Sequence, residues 1–304
     1  AIFRAILKGG RMTRGITGRG HRLLAAICCL GLAVSLVQTS SATMLVRYTF
    51  DEPSGDAIDT GAAPGADGML INNATRTTHT PGGYATQALD LISGAASGAG
   101  NYLDAGNVPK IGGLSQLTLT TWLNLQTDEG GNDRLLSTQN EGPLYEGFAF
   151  NLNNPNTGDR AAGNFRLYLF LGAEKGFVYA PSDVDTGADN EWKFLAVTYD
   201  GTQTENNLKY YVGGVGTPVT QLGSTQTADG GALLASPANF ALGHLSWLPT
   251  TELAPPGYMD DARVYDEVLD LAALNGVRLE NVPEPATMAL LGLAGAALIR
   301  RKRT

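Results

Sequence analysis

Asn190-Glu191-Trp192-Lys193-Phe194-Leu195-Ala196-Val197-Thr198-Tyr199-Asp200-Gly201 reads as a strand that runs into a tight turn. Aromatic and β-branched residues fill Trp192–Tyr199, and Asp-Gly is a strong short-range hairpin signal. The partner strand is then Leu208–Val212. Working outward, Leu117-Thr-Leu-Thr-Thr-Trp-Leu-Asn-Leu125 nearly alternates, as a half-buried strand requires. Further β-type runs are Met44–Phe50, Phe148–Leu152, Phe165–Leu171 and Tyr258–Val264, separated by clusters of Gly, Asn, Asp and Pro. Between Met44 and Val277 the sequence predicts one helix, around Leu269–Leu274, which excludes a βαβ sheet. The 39 glycines, with 43% apolar and 16% charged residues, fit a turn-rich globular β protein. The expected fold is an all-β, antiparallel two-sheet sandwich.

Charge is unevenly placed. Six basic residues (Arg4, Lys8, Arg11, Arg14, Arg19, Arg22) precede Thr43, and Arg300, Arg301, Lys302 and Arg303 close the sequence. The stretch between them holds 11 bases against all 29 acids, a net charge of −18. Such a body repels a phosphate backbone, so no nucleic-acid partner is expected.

Both ends read as addresses. The basic segment Arg11–Arg22, the apolar run Leu23–Val37 and the small residues Ser40-Ser41-Ala42 follow the order of a secretory signal peptide, with Met12 a candidate initiator. This assigns 1–42 to an N-terminal signal helix cut by signal peptidase. Cys28 and Cys29 lie inside that run, and Ile27 ahead of Cys28 does not suit a lipoprotein cleavage site. At the other end Val282-Pro283-Glu284-Pro285 precedes the apolar stretch Ala286–Ile299 and the basic cluster. Fourteen residues make a short apolar helix of about 21 Å against a bilayer core of about 30 Å, a marginal span that snorkelling Arg and Lys extend. These three parts resemble the PEP-C-terminal sorting signal of Gram-negative bacteria. The resemblance implies recognition of Pro283, Glu284 and Pro285 by an exosortase, a transient inner-membrane anchor through 286–299, and delivery to the cell surface or extracellular matrix.

The body, 43–281, resembles the laminin-G-like, concanavalin A-type jelly roll. The residues that carry this are Leu45-Val-Arg-Tyr-Thr-Phe-Asp-Glu52 with Asp59-Thr-Gly61 and Ala66-Asp-Gly68, Leu117–Leu123, the Asn190–Gly201 stretch, Leu208–Gly214, and Gly257-Tyr-Met-Asp-Asp-Ala-Arg-Val-Tyr-Asp266. In that fold the first and last body strands lie side by side. The family often carries calcium, which prefers oxygen ligands, so Asp59 and Asp260 are candidate ligands. Each is equally an ordinary turn or strand-end Asp, and Asp261 or Arg263 can simply satisfy the strand end.

No catalytic constellation stands out. Glucanases of this fold use a Glu-x-Asp-x-x-Glu strand, a spacing absent here, and Glu141 and Glu146 flank loop-like sequence. The histidines His21, His79 and His244 are scattered, and no Gly-x-Ser-x-Gly elbow occurs. A non-catalytic carbohydrate-binding or adhesive module is expected, with extracellular polysaccharide as partner. A ligand-free structural spacer and a glucanase-like hydrolase are the alternatives. Sugar faces stack on exposed aromatics, so Trp247, in His244-Leu-Ser-Trp-Leu-Pro249, and Tyr145 are the candidates, each of which can equally pin its own loop. Trp122 and Trp192 are expected to fill the space between the sheets.

Overall fold

The computed structural model describes residues 42–63, 65–82, 85–92, 100–126, 132–140, 145–153, 166–174, 176–181, 186, 190–245 and 254–281. All belong to one compact unit that begins at Ala42. Fifteen strands form two antiparallel sheets, as the strand pattern predicted.

Sheet 1 runs in the order β13 (Thr220–Gln226), β12 (Leu208–Gly214), β11 (Lys193–Asp200), β6 (Gln116–Leu125), β15 (Gly257–Tyr265), β4 (Ala88–Asp90), β3 (Thr75–Thr77), and β1 (Met44–Tyr48) also pairs with β15. Sheet 2 runs β10 (Gly176–Pro181), β9 (Arg166–Ala173), β8 (Phe148–Asn153), β7 (Asn132–Ser137), β14 (Ala241–Leu242), β5 (Tyr102–Asp104), β2 (Met69–Ile71). Alternation sends Leu117, Leu119 and Leu123 of β6, Leu195, Val197 and Tyr199 of β11, Phe148, Phe150 and Leu152 of β8, and Leu167, Leu169 and Leu171 of β9 into one core between the sheets.

Asp200-Gly201 opens the connection from β11 to β12, but this is a seven-residue loop, Gly201–Asn207, rather than the tight turn the sequence predicts, with Tyr199 opposite Leu208. Glycine is required there. A Cβ on Gly201 would lie 2.2 Å from the carbonyl oxygen of Gly231 and 2.8 Å from that of Ser115.

The first and last strands are neighbours, with Arg47 opposite Arg263 and Tyr48 opposite Ala262. Thr43 and Asp266 close the join. Thr43 N–H donates to Asp266 Oδ1 (2.9 Å), and Asp266 N–H donates to the Thr43 carbonyl (3.3 Å). Between Asp260 and Arg263, β15 advances one residue more than β6, a bulge in which Asp261 takes a left-handed φ of 45°. At the same point its other edge passes from β4 to β1.

Two expectations change. Trp122 and Trp192 are buried, but not between the sheets: they join Phe194, Tyr211, Tyr265, Leu274 and Val277 in a second cluster on the outer face of sheet 1. The register explains it, because Trp122 pairs with Phe194, out of phase with the inward Leu195. That face is roofed by α1 (Leu271–Asn281), capped by Asp270, whose Oδ1 accepts the Ala273 N–H at 2.8 Å. The helix therefore runs well past Leu274. Gly276 argues against continuation, but Val277 and Arg278 dock on sheet 1 and carry it on.

Candidate functional site

The outer face of sheet 2 is built differently. Residues out of phase with the core leucines point there: Tyr168 and Phe170 of β9, Ala149 and Asn151 of β8, Arg134 and Ser137 of β7. Direct pairing sets them in rows. Tyr168, Asn151 and Arg134 cross three strands in line, and Phe170, Ala149, Ser137, Ala241 and Asp104 form the next row. The Arg134 guanidinium stands 5.5 Å from the centre of the Phe170 ring, a cation–π contact that joins the rows. These groups are covered rather than presented: Tyr168, Asn151 and Arg134 are 5%, 0% and 3% exposed, while Phe170 is partly open.

The rows continue to Tyr102 and His244, whose rings stack at 4.0 Å. His244 is buried, which lowers its pKa against a weaker pull upward from Asp104, so its ring is neutral near pH 7. Burial, then Asp104, raises the Tyr102 phenol. Asp104 is itself engaged, accepting from Gly106 N–H (2.8 Å) and Asn239 Nδ2 (3.1 Å).

Tyr145 belongs to this face. It lies in the β7–β8 connection, is 43% exposed, and takes φ 47°. Gly172, in phase with Phe170, makes room for its backbone: a Cβ there would stand 1.5 Å from the Tyr145 carbonyl oxygen. Trp247, like Pro283, Glu284 and Pro285, lies outside the described residues. Tyr168, Phe170, Asn151 and Arg134 were not singled out in the sequence.

The two aspartates proposed for calcium occupy separate settings. Asp59 is buried, accepts the N–H groups of Arg47 (3.1 Å) and Gly61 (2.9 Å), and is bonded by the Lys110 ammonium. Asp260 is buried in the bulge, where Oδ1 accepts the Asp261 N–H at 2.7 Å and Oδ2 has no partner among the described residues. Burial, followed by the neighbouring Asp261 charge, pushes its pKa well up. No group of three His, Cys, Asp or Glu side chains converges among the described residues. Next to Asp260, Asp261 and Glu280 balance Arg47 and Arg263 in a four-charge network.

This architecture is found again in known proteins. A family model described as the concanavalin A-like lectin/glucanases superfamily matches residues 97–275. The chain belongs to that superfamily. The match begins after β4, although β1 and β4 both pair with β15 and complete sheet 1. A second model, the PEP-CTERM protein-sorting motif, matches residues 281–303, which marks the chain for exosortase processing, export and a surface or extracellular destination. Among the described residues no helix is long and apolar enough to cross a membrane. Comparison with curated proteins finds no match.

Among solved structures, domain 4 of the GH43 extracellular arabinanase AbnA from Geobacillus stearothermophilus, in complex with arabinotriose, is 16% identical with a TM-score of 0.50, covering 79% of this chain and 100% of that one. The binding domain of Paraclostridial Mosquitocidal Protein 1 is 11% identical with a TM-score of 0.54, covering 78% and 52%. A botulinum neurotoxin serotype D ligand binding domain in complex with N-acetylneuraminic acid is 12% identical with a TM-score of 0.50. This chain spans 50% of that domain's length. These likenesses establish the fold.

Proposed function

We propose that the body is a non-catalytic carbohydrate-binding module, delivered to the cell surface or matrix by its sorting tail, that holds extracellular polysaccharide on the outer face of sheet 2. The partly exposed Phe170 ring, packed against the buried Arg134 guanidinium and bordered by Tyr145, carries the reading. Sugars present C–H faces that stack on aromatic rings. The half-exposed Tyr145 borders the same face. Support also comes from neighbours of this fold in complex with arabinotriose and with N-acetylneuraminic acid. Binding rather than cleavage fits the absence of a Glu-x-Asp-x-x-Glu strand from the sequence, since hydrolysis needs paired carboxylates at the bond. A glycan array and a polysaccharide pull-down on residues 43–281 test it. Retention of at least one glycan class, lost in Tyr145→Ala and Phe170→Ala proteins that still fold, is the expected result. No retention of any glycan by the folded wild type would refute it.

A further inference from the structure

The last helix runs directly into the sorting segment: α1 ends at Asn281, where the sorting-motif match begins. Pro283 follows two residues later, and two residues span at most about 7 Å of extended chain. An enzyme that cuts a peptide bond needs extended chain on both sides of it. Helical residues packed on a folded body do not supply that until they open.

The C-terminal half of α1 is held firmly. Val277 is buried in the aromatic cluster, and Arg278 Nη1 donates to the carbonyls of Gly214 (2.9 Å) and Val215 (3.2 Å). In the last turn Glu280 lies 2.8 Å from Arg263 Nη2 and 3.4 Å from Arg47 Nη1. Arg47 and Arg263 are cross-strand partners on β1 and β15. The seat for Glu280 therefore forms only when the first and last strands of the body have paired. Its charge is needed there, because Asp261 alone faces two guanidinium groups.

We propose that α1 gates C-terminal processing: the processing enzyme cuts the tail only while the last turns of α1 are detached from Arg47, Arg263 and the Gly214–Val215 carbonyls. The sorting enzyme and the folded body then compete for the same residues. The cut exchanges the scissile C–N bond for a bond to water or an acceptor nucleophile, whose proton passes to the departing amine. The helix contributes access, not chemistry. This inference rests on the sorting-motif match and is independent of the sugar-binding reading.

Two substitutions push the gate in opposite directions. Glu280→Gln removes the charge that seats the last turn. Gly276→Ala strengthens the helix from within, since its added Cβ meets nothing within 4 Å and alanine is the better helix former. The test follows the full chain by pulse-chase in an exosortase-bearing bacterium, scoring the fraction that has lost the tail. Where cutting follows the open population, Glu280→Gln should be processed about tenfold faster and Gly276→Ala about two- to fivefold more slowly than wild type. Melting temperatures of the purified bodies accompany the assay, and Gly276→Ala keeps it decisive if Glu280→Gln loosens the whole fold. Gly276→Ala processed at the wild-type rate or faster, or a wild-type tail that is never cut, overturns the proposal.

Discussion

Arg263 and Asp261, two residues apart on the last strand, face each other in a two-pronged ion pair, Nε to Oδ1 at 2.9 Å and Nη2 to Oδ2 at 2.5 Å. Both side chains are essentially inaccessible, at 1% and 0% exposure. Burial works against the guanidinium charge, but Asp261 outweighs it and holds Arg263 protonated. Asp261→Asn keeps a residue that tolerates the left-handed backbone while removing the charge. It should cost about 3 kcal/mol of stability, because a buried cation loses its two-pronged partner and keeps only the half-exposed Glu280. Urea unfolding measures this, and a loss below about 1 kcal/mol would contradict the role given to the pair.

Asp260 gives a pH signature. Its folded carboxyl titrates well above the ordinary value of 3.8, so folding takes up a proton. The stability it contributes is complete below about pH 4 and is lost as the pH rises through the folded value. Asp260→Asn mimics the neutral form and should gain on wild type as the pH rises from about 4 through the folded value. Chemical denaturation across that range reads the difference, and a difference that stays flat would remove Asp260 as its source.

On the sugar-binding face, Phe170→Ala removes a stacking surface and the ring under Arg134. Glycan affinity should fall about tenfold, equivalent to about 1.4 kcal/mol. The melting temperature should change little, because Phe170 lies outside the core between the sheets. Calorimetry with the best glycan from an array is the measurement; unchanged affinity would move the site away from β9.

At the hairpin turn, Gly201→Ala places a methyl group against two carbonyl oxygens, one 2.2 Å away. Backbone must shift to admit it. Tyr199, whose hydroxyl donates to the Gly231 carbonyl at 2.9 Å, would lose register with it. Low soluble yield or a melting temperature at least about 8 °C lower is expected. A wild-type melting curve would show that the turn is looser than its contacts imply.

The long strands were legible because their apolar runs are long: β6, β8, β9, β11, β12 and β15 lie within about two residues of the predicted bounds. The three-residue strands β2 to β5 are too short to show a period. In β13, Thr-Gln-Leu-Gly-Ser-Thr-Gln has one apolar residue, and pairing with β12 makes it a strand. The candidate site was missed for the opposite reason. In Phe165-Arg-Leu-Tyr-Leu-Phe-Leu171 both faces are largely apolar, so no contrast marks Tyr168 and Phe170 as facing away from the leucines. Exposed aromatics were therefore sought in loops, and of those Tyr145 sits at the edge of the face.

The hydrogen bonds between Thr43 and Asp266 bear on what the body can do once attached to anything. The body ends at Asn281, one residue after Glu280, whose carboxylate lies 3.4 Å from Arg47 of the first strand, so the chain leaves close to where it entered and the sandwich adds bulk to a tether but little reach. A part meant to hold two things apart must separate its own ends, and this one brings them together. The fold is better suited to hanging a surface from a single point than to bridging a gap.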